Sequence, residues 1–81
     1  MSEPVWVDRH IVNIVYESLK RLSKNGEIPV EEEYIYDEVA RNGLHISRRE
    51  LAKILITLEI LGRVSVEASG PRKEYRVKLL R

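Results

Sequence analysis

Apolar positions along the chain follow two periods, one helical and one of strand type. Ile11, Val12, Val15, Leu19 and Leu22 recur at helical spacing and predict a first helix over about residues 9–24. Asp8 is suited to cap it, and Val7 and Val12 occupy the two positions of a hydrophobic staple. Asn25-Gly26 should end it, because glycine accepts the left-handed conformation of a helix terminus. A second helix is expected from about residue 30 to 42. Pro29 stands at its entrance, where a missing N–H does no harm, and Glu31, Glu32 and Glu33 meet the positive end of its dipole. Ile35, Tyr36 and Val39 should face the core, with Gly43 closing the helix.

Leu44-His45-Ile46 reads as a short extended link. Ser47-Arg48-Arg49-Glu50 then matches the S-x-x-E capping box directly before another helical run, so a third helix should start at Arg48. Leu51, Ile54, Leu55, Leu58 and Leu61 make its core face, and Gly62 stops it. From there the period is two. Val64, Val66 and Ala68 alternate with polar residues, turn formers occupy 69–73, and Tyr75, Val77 and Leu79 alternate with Arg76 and Lys78. This predicts a β-hairpin with strands near 63–68 and 74–79 and one apolar face.

The order helix, helix, short strand, capped helix, strand, turn, strand resembles the winged helix-turn-helix domain over about residues 8–80. The strongest local match runs from Ser47 to Val64 and looks like the family's recognition helix, with Leu58, Glu59, Leu61, Gly62 and Val64 leading into the wing. Pro71-Arg72-Lys73 and Glu74 to Val77 resemble the wing tip and its returning strand. The resemblance implies an α+β winged helix: a three-helix bundle with a helix-turn-helix and a C-terminal two-stranded wing. One domain would span 1–81, with an arm at 1–7, helices within 8–62 and the wing at 63–81. Proteins of this kind bind DNA most often, and some bind RNA or protein, so the fold alone does not decide the ligand.

Composition narrows the classes. With 81 residues the chain has room for one modest core. No apolar run approaches the roughly 20 residues that span a bilayer. No signal-peptide pattern opens the chain, so a cytoplasmic location is the default expectation. Cysteine is absent, which excludes disulfides and thiolate metal sites. Glutamine is absent, methionine occurs once and a third of the residues are charged, as in hyperthermophile proteins, which points to an archaeal source. The net charge of +1 hides an asymmetry. Residues 1–40 carry four Lys/Arg against nine Asp/Glu, net −5, and residues 41–81 carry ten against four, net +6. Such a split hints at a polyanion-facing surface.

Neither His10 nor His45 is paired in sequence with a nucleophile or carboxylate, so no enzyme, metal site or cofactor is expected. In a helix-turn-helix the second helix enters the major groove by its N-terminal residues. Arg49, Lys53, Ile56 and Ile60 cluster opposite the core face of the third helix, with Ala52 flanking and Arg48 nearer the core edge. Arg48, Arg49, Ala52 and Lys53 are therefore the expected contacts to double-stranded DNA, joined by Arg72 and Lys73 of the wing tip. Positive charge at a helix N-terminus opposes the dipole, which favours a functional reading of the two arginines. This gives a DNA-binding transcriptional regulator or chromatin-associated factor. Ile56 and Ile60 do not suit a groove reader, since monomers hide large apolar groups. With Trp6 they are the expected dimer or partner interface, covered by a second copy or by the segment around Trp6. The rival function is a protein-interaction module that uses this surface without nucleic acid. RNA binding, a third reading, would need exposed aromatics, for which Tyr34, Tyr36, Tyr75 and Trp6 are the candidates.

Overall fold

The computed structural model describes residues 8–69, 71 and 74–80. Its elements are α1 (Arg9–Leu22), β1 (Val30–Glu31), α2 (Glu32–Arg41), α3 (Arg48–Ile60), β2 (Val64–Ser69) and β3 (Glu74–Leu79). Helices α2 and α3 pack against an antiparallel sheet of strand order β1-β3-β2, and α1 packs on α2 and α3.

The ends of α1 and α3 have local causes. Asp8 Oδ1 accepts the His10 N–H at 2.7 Å and starts α1. Val7, the other member of the expected staple, lies outside the described residues. The helix stops at Leu22, where Ser23, Lys24, Asn25 and Gly26 take over. The last three have φ of 54°, 61° and 95°. Ser23 is buried, and its carbonyl accepts the N–H groups of Gly26, Glu27 and Ile28, which ties the turn to the helix end. Both halves of the α3 capping box form. Ser47 Oγ accepts the Glu50 N–H at 3.0 Å, and Glu50 Oε1 accepts the Ser47 N–H at 2.9 Å. At its other end Gly62 adopts φ 77°, and the N–H groups of Arg63 and Gly62 return to the Leu58 and Glu59 carbonyls, the paired bonds of a Schellman motif.

The sequence expectation needs three corrections. Val30 and Glu31 are not the first turn of the second helix. They form β1, pairing with Val77 and Arg76. Val30 is buried, and an Arg76–Glu31 ion pair of 3.4 Å joins the two strands. The short strand therefore precedes α2, while the link at 44–46 stays outside the sheet. Leu61 was expected in the core but is 61% exposed; it caps the end of α3, beyond the last buried residue of the stripe, Leu58. Tyr75 shares the inward face of β3 with Val77 and Leu79, yet it is 43% exposed and its cross-strand partner Ala68 is exposed too, because the hairpin outruns the helices that cover its base.

The core is otherwise the expected one. Val12, Val15 and Leu19 of α1, Ile35 and Val39 of α2, and Leu51, Ile54, Leu55 and Leu58 of α3 close over Val30, Val64, Val77 and Leu79 of the sheet. Tyr36 packs at its margin.

Candidate interaction surface on the third helix and hairpin

Burial of one stripe of α3 determines what its other sides present. Leu51, Ile54, Leu55 and Leu58 face inward. Arg49, Lys53, Ile56 and Ile60 are turned outward, as the helical spacing requires. Ile56 is 53% exposed and Ile60 is 79% exposed within the single chain. They are one turn apart, and exposed Leu61 follows directly. Trp6, the expected neighbour of this patch, lies outside the described residues, as do Arg72 and Lys73 of the expected wing contact.

Arg48 has a different setting from Arg49. Its guanidinium carbon lies 4.5 Å from the centroid of the Tyr36 ring. It also lines a depression with Glu31, Glu32, Glu33, Tyr34, Glu74 and Tyr75. The fold thus brings the acidic entrance of α2 against the basic entrance of α3. Burial holds the Glu32 carboxyl above the usual carboxylate range, and the nearby positive charge of Arg48 offsets part of that rise. The three consecutive glutamates share one depression because they do not all belong to one helix. The break is at β1: Glu31 belongs to the strand, Glu32 and Glu33 to the helix.

Beside this depression a groove of about 220 Å³ runs between α3 and the hairpin. Ala52, Leu55, Ile56 and the carboxylate Glu59 line it from α3, Val66 and Tyr75 from the hairpin, and Glu32 from the start of α2. Glu59 Oε2 accepts the Val66 N–H at 3.3 Å. That N–H belongs to an outer-edge position of β2, because the Leu80 N–H reaches Arg63 and the paired positions alternate from there. Glu59 therefore fastens the sheet edge to α3 while leaving the groove open.

Ala52, expected at a thymine methyl, is half-buried on this groove. From the sequence, Val66, Tyr75, Glu32 and Glu59 had other roles and were not placed together on one groove. A signal existed for Tyr75: apolar alternation in the hairpin extends further than the covering helices can follow. For Glu32 and Glu59 no local signal exists, because their placement depends on how α2 and α3 cross. His10 and His45 are both exposed, one on α1 and one in the link before α3. Among the described residues no group of histidine and carboxylate side chains is arranged to hold a metal ion. No helix among them is long and apolar enough to cross a membrane.

No protein-family model matches this chain, and no curated protein matches it significantly. Among solved structures it is similar to the C-winged helix domain of ScpA in the crystal structure of the SmcHead bound to that domain. The TM-score is 0.67 and the identity 18%, over 88% of this chain and 96% of that one. The likeness is one of fold: three helices and a three-stranded antiparallel sheet in a winged-helix-like α+β arrangement.

Proposed function

We propose that this chain is a non-enzymatic winged-helix module that docks a protein partner through the outer side of α3 and the adjoining wing, β2 and β3. One observation carries the reading: Ile56, Ile60 and Leu61 stand exposed together at the end of α3. Monomers rarely leave such apolar groups in water. Fully burying one such side chain stabilises by about 1.5–3 kcal/mol, so this patch can anchor an interface. The surroundings support the same choice. Glu31, Glu32, Glu33, Glu59 and Glu74 line the two hollows beside α3 against Arg48 among the described residues, so a polyanion seated there would meet mostly carboxylates. The winged helix similar in fold was crystallised bound to a protein, the SmcHead.

The test compares variants of the tagged chain in quantitative affinity capture from its native host. Ile60→Asp should lose a defined partner at least about tenfold, roughly 1.4 kcal/mol. An unchanged capture profile would refute the reading.

A second reading, sequence-specific DNA binding by a regulator or chromatin factor, is favoured by one feature: Arg49 and Lys53 lie exposed on the outer side of α3. It is tested by salt-dependent titration of random and selected duplexes. Protein docking predicts affinity indifferent to sequence and no tighter than the non-specific range of about 10⁻⁴–10⁻⁶ M at physiological salt.

A further inference from the structure

We infer that the partner presents a short apolar segment carrying lysine or arginine, and that this segment seats in the groove between α3 and the hairpin. The inference deepens the protein-docking reading and rests on it.

The groove combines two chemistries. Its walls are apolar: Ala52, Leu55 and Ile56 from α3 and Val66 and Tyr75 from the hairpin, with Ile56 and Tyr75 half-exposed. A single aliphatic side chain of the partner would bury itself there against partners on both sides. The charged groups among these residues are acidic. Glu59 uses one carboxylate oxygen on the Val66 N–H, and a carboxylate has further lone pairs that accept from an ammonium or guanidinium. Glu32 lines both this groove and the depression it shares with Glu31, Glu33 and Glu74. Among the described residues Arg48 is the cation lining that depression, and it lies over the Tyr36 ring.

Charge complementarity therefore selects the occupant. A basic group beside the seated side chain meets carboxylates on approach and on arrival, which speeds encounter and rejects acidic partners. Desolvation weighs in the same direction. Glu32 is already partly withdrawn from water, so an added cation recovers interaction that solvent no longer supplies.

The experiment is an amide-resolved NMR titration of the full chain with three probes: a short peptide of leucine and lysine, its leucine–glutamate twin, and oligolysine. The leucine–lysine peptide should shift the amides of Ala52, Ile56, Glu59, Val66 and Tyr75 saturably. Glu32→Gln with Glu59→Gln should weaken it roughly fivefold or more, as expected for two half-exposed charge pairs. Glutamine can still accept the Val66 N–H, and the spectrum of the variant without peptide verifies its fold. Equal binding of the leucine–glutamate twin, equal binding of oligolysine, shifts confined to another face, or an unaffected double variant would each overturn the inference. The two failures are distinguishable. Loss of partner capture in Ile60→Asp, together with peptide binding indifferent to the glutamates, leaves protein docking standing and removes only the basic segment. If capture is indifferent to Ile60→Asp, both fall.

Discussion

The Arg48 guanidinium lies over the face of the Tyr36 ring, 4.5 Å from its centroid, and so fastens the first residue of α3 to the middle of α2. A positive charge at this helix end opposes the dipole, and the ring compensates it from within the fold. A double-mutant cycle with Arg48→Ala and Tyr36→Leu, followed by urea unfolding, should return a coupling of about 0.5–1 kcal/mol. A coupling near zero would mean that Arg48 is available to an outside ligand, as a groove-reading role requires.

The capping box makes the second prediction. Ser47→Ala should destabilise by about 1 kcal/mol, because the Glu50 N–H loses its acceptor. Glu50→Gln should stay within roughly 0.5 kcal/mol, since glutamine also serves at that position of the box. Chemical denaturation of the two variants side by side checks the contrast.

The capping box was legible because all its parts lie within four consecutive residues. The same holds for Gly43 and Gly62, whose φ of 89° and 77° end α2 and α3. What the sequence did not disclose is long-range. Val30 and Glu31 look like a helix entrance beside Pro29, and only the unpaired side of β3 makes a strand of them. The outward positions of Ile56 and Ile60 followed from helical spacing alone. The groove beside them did not, because Ala52 and Tyr75 are distant in sequence and meet only when the hairpin folds back along α3.

Two leucine-sized residues on the same helix should behave oppositely. Leu58 is buried, and Leu58→Ala should cost about 2–5 kcal/mol. Ile60 is exposed, and Ile60→Ser should change stability by no more than about 0.5 kcal/mol. Thermal melts at fixed concentration read the difference. In sedimentation, the wild type and an Ile56→Lys, Ile60→Lys variant should both run as single chains. A wild-type dimer that this variant breaks would make the occupant of the patch a second copy, against the heterologous partner proposed.

Glu32 gives a prediction in pH. Its folded carboxyl titrates above the ordinary carboxylate range because burial disfavours the charge. The protonated form is thus favoured by folding. The resulting stability is present at acid pH and lost as pH rises through the folded value. Glu32→Gln should therefore stabilise the chain at neutral pH, and the advantage should shrink on acidification as the wild-type carboxyl becomes neutral too. Paired urea titrations at acid and neutral pH measure it. An advantage that does not change with pH would assign the effect to packing.

The central claim is that the outer side of α3 meets a protein, and photo-crosslinking in the native host tests it most directly. A photoreactive residue replaces Ile60, and a second chain carries the same group in place of Asp37, exposed on α2. The account predicts one discrete protein adduct from position 60, none from position 37, and loss of the adduct when Ile56→Asp is added. Crosslinks from position 60 to nucleic acid, or the same adducts from both positions, would contradict it.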